Sequence, residues 1–112
     1  MRVNIKPLSS NLAWQGKRFK TPQYKEYEKE LLFVLPKVTI PKGKLQINFI
    51  VGYSNPSSDI DNFLKSFLDI LTKRYGFNDN VIYRIEIEKE ITKKGEEFID
   101  FKIFSYGSFF TD

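Results

Sequence analysis

The chain has 112 residues, the size of one domain with a modest core, so we expect a single domain over residues 1–112. It contains no cysteine and no histidine, which excludes disulfides, thiolate nucleophiles, imidazole catalysis and cysteine-ligated zinc. Any catalysis must therefore use carboxylates, lysine, tyrosine, hydroxyl groups, water and a hard metal ion.

The net charge of +4 is unevenly distributed along the chain. Residues 1–44 carry ten basic and three acidic residues, a net +7, whereas residues 45–112 carry eight basic and eleven acidic residues, a net −3. This asymmetry fits a basic surface that binds a polyanion beside a metal site, although an ordinary solvated basic surface has the same composition. No apolar run could span a bilayer and no signal-peptide pattern is present, so we expect a cytoplasmic protein with no membrane partner.

The first half of the chain predicts a strand, a loop and a helix. Residues 2–6 predict a short strand, and residues 8–20 an extended loop or irregular hairpin. Thr21 followed by Pro22 predicts a helix start, because threonine caps the free amides and proline fits the first helical position. This helix is expected to end near Leu35, because Pro36 cannot continue it.

The second half predicts a strand, a helix and two further strands. Residues 44–53 alternate apolar side chains, as a strand with one buried face does. A helix follows over about residues 60–74, with Gly76 placed to cap its C-terminus. Residues 81–91 and 97–105 predict two strands joined as a hairpin. The order β-α-β-α-β-β predicts an α/β fold, an α+β sandwich in which two helices cover a mixed sheet of about four strands.

Three aspartates and a lysine gather around the predicted second helix: Asp59, Asp61, Lys65 and, beyond its end, Asp79. Clustered carboxylates repel one another unless a cation joins them, and their hard oxygens select Mg²⁺ or Mn²⁺ rather than zinc. Asp61 and Lys65 are four residues apart and can share a helix face. We expect the three aspartates to ligate Mg²⁺, and Lys65 to neutralise charge on a phosphate or to orient the attacking water. The turn that carries Asp79 is expected to fold back beside the helix start.

Each of these residues also has a simpler interpretation. An Asp-x-Asp pair at a helix start is often only a cap, Lys65 could be an ion-pair partner of Asp61, and residues 78–80 resemble an ordinary turn. For the isolated pair the capping interpretation is favoured by roughly three to one. The full set of four residues favours a metal-dependent phosphodiester hydrolase.

Residues 56–82, PSSDIDNFLKSFLDILTKRYGFNDNVI, resemble the RusA-like family of Holliday junction resolvases. The family pattern is a D-x-D-N-x-x-K helix start, an aspartate in the same helix, a Gly-Phe near its end and an Asp-Asp before the next strand. The matching residues are Asp59, Asp61, Asn62, Lys65, Asp69, Gly76, Phe77 and the Asn78-Asp79 pair. Asn78 stands where the family has the first aspartate of its acidic pair. The resemblance covers about residues 3–104.

The resemblance implies a homodimeric, Mg²⁺-dependent endonuclease that nicks four-way DNA junctions symmetrically, with Mn²⁺ able to substitute and no small-molecule cofactor. Such enzymes act in recombination and repair and are often carried by phages and prophages. The resemblance assigns Asp59, Asp61 and Asp79 as catalytic metal ligands and Lys65 as the catalytic lysine. The alternative is a non-catalytic or weakly selective branched-DNA-binding protein of the same fold.

The DNA-binding surface and the dimer have further support in the sequence. The loop residues expected to contact phosphates are Lys17, Arg18 and Lys20. For the aromatic residues Trp14, Phe19, Phe109 and Phe110, packing in the core or the dimer interface is favoured over base stacking by about two to one. The second helix has an apolar arc of about 160°, more than one small sheet needs to cover, and a two-fold partner could bury the excess.

Overall fold

The computed structural model describes residues 1–15 and 19–107. Lys17, Arg18 and the Phe109-Phe110 pair, to which the sequence assigned DNA or interface contacts, lie outside the described residues. The elements are β1 (Arg2–Val3), α1 (Ser10–Ala13), β2 (Trp14–Gln15), β3 (Phe19–Lys20), α2 (Pro22–Val34), β4 (Leu45–Tyr53), α3 (Leu64–Tyr75), β5 (Ile82–Ile91) and β6 (Phe98–Ser105). A 3₁₀ turn at Asp79–Val81 precedes β5. The predicted α+β class with a four-stranded mixed sheet is confirmed.

The stretch predicted as a loop or irregular hairpin folds into a short helix, α1, followed by the two-stranded hairpin β2–β3. The Ser9 side chain caps α1 by accepting a hydrogen bond from the Asn11 amide. At α2 the predicted start is confirmed, because Thr21 Oγ1 accepts the Tyr24 amide at 3.2 Å. The same hydroxyl donates to the Leu12 carbonyl at 2.6 Å, which fastens α1 to the start of α2.

The strand order of the main sheet is β1-β6-β4-β5. Strand β4 pairs in parallel with β5 and antiparallel with β6, so it lies in the interior of the sheet. The predicted hairpin between β5 and β6 is therefore wrong. The segment joining them crosses the end of β4, where the Thr92 amide donates to the Tyr53 carbonyl at 2.8 Å. A buried strand needs hydrogen-bond partners on both sides, and that requirement outweighs the turn chemistry of the connection.

Helices α2 and α3 cover one face of this sheet. The side chains of β4 that point to this face are all buried: Leu45, Ile47, Phe49, Val51 and Tyr53. Phe49 meets Phe63 and Phe67 edge to face, with ring centroids 5.2 and 6.0 Å apart. The opposite face of β5 carries the exposed residues Arg84, Glu86, Glu88 and Glu90. No helix among the described residues has the length and apolarity needed to cross a membrane.

Helix α3 begins at Leu64 and not near residue 60, because residues 60–63 form turns. The Asn62 amide donates to the Asp59 carbonyl, and the Leu64 amide to the Asp61 carbonyl. At the other end Gly76 has a φ of 70° and its amide donates to the Thr72 carbonyl at 2.8 Å, which confirms the predicted cap. Part of the apolar arc of α3, at Leu64 and Leu68, stays half-exposed, as do Ile85 and Ile87 of the neighbouring β5.

Candidate active site

Asp59 and Asp61 lie in the turns between β4 and α3, and both are exposed. Tyr53, the last residue of β4, lies beneath them and donates its hydroxyl hydrogen bond to the Ile60 carbonyl at 3.4 Å. Burial raises the pKa of Tyr53 to about 12, and the carboxylates of Asp61 and Asp59 contribute to the rise. The structure therefore places both aspartates beyond the carboxyl end of the central strand.

Lys89 holds the loop that delivers Asp59. This lysine lies opposite Val51 in the parallel pairing of β5 with β4. Its ammonium group donates to the Pro56 carbonyl at 2.8 Å and also to the Ser58 carbonyl. Two carbonyls within the three residues before Asp59 are thus fixed by one side chain, which limits where that carboxylate can point.

A second anchor of the same loop is the buried carboxylate of Glu97. It accepts hydrogen bonds from Ser54 Oγ at 2.8 Å and from the Gly95 amide at 2.9 Å. A hydrogen bond from its own backbone amide, together with that from Ser54, holds the pKa of Glu97 below its usual range. The loop after β4 is therefore tied to the segment that leads into β6.

Asn62 joins the aspartate pair to the N-terminal part of the chain. Ser9 Oγ donates to Asn62 Oδ1 at 3.2 Å, and the Ser10 amide donates to the Asn62 carbonyl at 3.0 Å. Helix α1 is thereby fixed against the turns that carry Asp59 and Asp61. The asparagine of the D-x-D-N sequence has a structural role that its position alone did not reveal.

Lys65 lies in the first turn of α3 and is exposed. Its ammonium nitrogen is 5.1 Å from the ring centroid of Trp14, within cation–π range. Trp14 in turn meets Tyr24 edge to face at 5.1 Å, and Lys20 Nζ lies 5.1 Å from the ring of Tyr24. Within residues 1–15 and 19–107, no ion pair joins Lys65 to Asp61, so the simpler interpretation of Lys65 as an ion-pair partner of Asp61 finds no support there.

Asp69 lies one helical turn beyond Lys65, and both Lys65 and Lys20 influence its carboxyl group. Partial burial raises the pKa of its carboxyl group, whereas Lys65 and Lys20 lower it and Asp79 raises it further. The net direction is upward, so partial burial, together with the carboxylates of Asp79 and Glu28, outweighs the two positive charges. The carboxyl group of Asp69 therefore interacts electrostatically with Lys65 of α3, with Lys20 of β3 and with Asp79 of the turn before β5.

Asp79 is exposed and lines a hollow with Leu68, Ile82 and Ile85. It lies beside the middle of α3, and the expectation that its turn folds back to the helix start is not met. In the part of the chain that the structure describes, no group of three or more acidic residues is arranged to hold a metal ion. The assignment of Asp59, Asp61 and Asp79 as ligands of one ion stays a prediction. Paired, exposed carboxylate oxygens have the donor chemistry that Mg²⁺ requires.

Sequence reasoning gave no role to Lys89 and assigned Trp14 to packing or base stacking. A signal for Lys89 was present, because the core-facing row of β5 is otherwise apolar: Ile85, Ile87 and Ile91. A lone lysine in such a row needs a polar partner. Trp14 carried no comparable signal, since its contact with Lys65 joins residues 51 positions apart.

The family model described as "Endodeoxyribonuclease RusA" matches residues 9–100 of the chain. No curated protein matches the chain closely enough to count as a relative. The matched range includes the predicted site residues Asp59, Asp61, Lys65 and Asp79, together with Trp14 and Lys89. The family resemblance inferred from the sequence is thus confirmed.

Replacing Lys89 with methionine should loosen the loop before Asp59, because the Pro56 and Ser58 carbonyls lose their common donor. We expect faster hydrogen exchange at residues 57–62, measured by mass spectrometry, with little change in the helices. Lys94→Met, at an exposed position of the segment between β5 and β6, is the matched control. Equal exchange in the two variants would contradict the proposed anchoring.

Proposed function

The chain belongs to the RusA endodeoxyribonuclease family, and we propose that it is a Mg²⁺-dependent endonuclease that resolves four-way DNA junctions by paired symmetric nicks. Members of this family act on branched DNA. The observation that carries the proposal is that the family match spans the Asp59–Asp61 pair, set at the end of the central strand with Lys65 in the adjoining helical turn. We place its activity in recombination and repair, in the cytoplasm.

The proposed chemistry follows from the side chains that are present. Asp59, Asp61 and Asp79 are the proposed Mg²⁺ ligands, and the bound ion would supply Lewis acidity and a water of lowered pKa. Lys65 would neutralise charge that develops on the phosphate. A tyrosine is protonated at neutral pH even at its ordinary pKa, and the pKa of Tyr53 is raised further, to about 12. Tyr53 therefore positions the Ile60 backbone and does not act as a base.

A homodimer is the second part of the proposal. Leu64 and Leu68 of α3 and Ile85 and Ile87 of β5 form a half-exposed apolar strip. On the opposite face of β5, the row of glutamates at residues 86, 88 and 90 opposes edge-to-edge pairing of two sheets. These features favour a partner that packs strip against strip around a two-fold axis.

Such a dimer also brings the separated carboxylates together. One end of the strip begins at Leu64, three residues after Asp61, and its other end reaches the hollow that contains Asp79. A two-fold axis through the middle of the strip exchanges these ends. Asp79 of the partner subunit would then lie beside Asp59 and Asp61.

Replacing Asp61 with asparagine should abolish Mg²⁺-dependent nicking of a synthetic four-way junction while preserving or improving binding. The change removes one ligand and reduces repulsion of the phosphate. Gel analysis of labelled strands measures nicking, with EDTA as the metal control. Glu88→Gln on the uncovered face removes the same charge and should cut normally. Junction binding without cleavage by the unaltered chain, in Mg²⁺ and in Mn²⁺, would favour the non-catalytic alternative.

Mixed dimers of Asp61→Asn and Asp79→Asn should regain nicking of one strand, although each variant alone is inactive. Each mixed dimer then has one complete site, made of the pair from one subunit and Asp79 from the other. Differently tagged chains, co-expressed and purified through both tags, provide the sample. Mixing Asp59→Asn with Asp61→Asn should restore nothing, because both changes fall in the same half of the site. Inactive Asp61/Asp79 mixed dimers would assign Asp79 to its own chain.

Removing Lys17 and Arg18 together, by substitution with alanine, should weaken junction binding and flatten its salt dependence by up to about two units of slope. Lys20→Ala should have a smaller effect, because Glu28 already pairs with Lys20 at 3.1 Å. Fluorescence anisotropy over a salt series measures the slope. Alanine at Lys25 and Lys29 on the exposed side of α2 removes the same charge and should leave it unchanged.

A further inference from the structure

Trp14 occupies the space between Lys65 and Tyr24. Its ring is half-buried, lies 5.1 Å from Lys65 Nζ, and meets the Tyr24 ring at 5.1 Å and 61°. The indole Nε1 is buried and has no hydrogen-bond partner in the described structure. A buried donor without an acceptor costs free energy, so hydrogen bonding does not explain a tryptophan here. The feature that a smaller apolar residue lacks is the large negative face of the ring.

The backbone around Trp14 is fixed from several sides. Trp14 ends α1 and begins β2, where it pairs with Lys20 across the hairpin. The Thr21 amide donates to the Ala13 carbonyl at 3.0 Å, so the hairpin is fastened to the start of α2. The position of the ring is therefore set by elements other than the helix that carries Lys65.

The lysines near this site are held in different ways. Lys20 and Lys73 both pair with the carboxylate of Glu28, at 3.1 and 3.5 Å. No salt bridge joins Lys65 to a carboxylate among the described residues, although Lys65 is near enough to Asp69 to lower the pKa of that carboxyl group. The aromatic ring that its ammonium group faces is that of Trp14. A carboxylate neutralises the ammonium that it holds, whereas an aromatic face holds the ammonium and leaves its charge available.

We propose that Trp14 is a positioning residue, which holds the Lys65 ammonium in place through its indole face without neutralising it. The inference rests on the proposed function of Lys65 at the phosphate. A lysine side chain has four flexible carbons, and an aromatic ring that holds its ammonium group reduces the rotamer entropy to be lost when substrate arrives. The ammonium is then already oriented when charge develops on the phosphate.

Truncating the ring tests the proposal. Trp14→Leu should lower the single-turnover nicking rate about tenfold, with junction affinity unchanged within about twofold. The rate of Trp14→Phe should lie between those of the unaltered chain and of Trp14→Leu. In a Lys65→Ala background, Trp14→Leu should cause no additional loss of rate. An equal loss in both backgrounds would show a general structural effect and overturn the proposal.

A second experiment keeps the shape of the ring. Trp14 is the only tryptophan in the chain, so biosynthetic fluorotryptophan alters this ring alone. Fluorine withdraws charge from the ring face, and the nicking rate should fall with each added fluorine. A rate independent of fluorination would overturn the proposal even if Trp14→Leu failed to fold.

A spectroscopic measurement separates this inference from the proposed function. The ring current of Trp14 should shift the Lys65 Cε protons upfield in NMR spectra, and Trp14→Leu should abolish that shift. An upfield shift in a protein that cuts no junction would refute the proposed function but support the contact between Lys65 and the Trp14 ring. Nicking without any such shift would refute the positioning role alone.

Discussion

Strand β4 pairs in parallel with β5, and parallel neighbours need a crossover that carries the chain back to the same end of the sheet. Helix α3 is that crossover, and its packing under Phe49 builds much of the core. The nine registered positions from Leu45 to Tyr53 span roughly 26 Å, so the residues that follow β4 and those that precede β5 leave opposite ends of the sheet. The separation of Asp59 from Asp79 is a direct result of this topology.

Local signals in the sequence were sufficient where one element determines its own conformation. The Thr21-Pro22 start of α2, the Gly76 cap of α3 and the alternation along β4 were all predicted and are confirmed. Each depends on a backbone conformation or a periodicity that neighbouring residues set.

Interactions between distant segments were not accessible in the same way. The position of β6 beside β4 depends on which strand satisfies a buried backbone, and the Lys-Lys-Gly turn carries no information about that choice. The shared charge environment of Asp69 and the contact of Lys65 with Trp14 join α3 to the β2–β3 hairpin, whose existence the sequence left open. The family pattern predicts Asp59, Asp61 and Asp79 as a set, but a linear pattern does not state which of them meet within one chain.

The position of β6 also affects how the chain folds as it is synthesised. Strand β1 finds its partners at Asp100 and Ile99, and β4 lacks its antiparallel neighbour until residues 98–105 exist. Pairings between such distant segments form slowly, and an unpaired apolar strand attracts other chains. A nascent chain that ends before β6 therefore exposes an open edge of its most buried strand. The demand for chaperone protection on the ribosome should persist until that late strand has emerged.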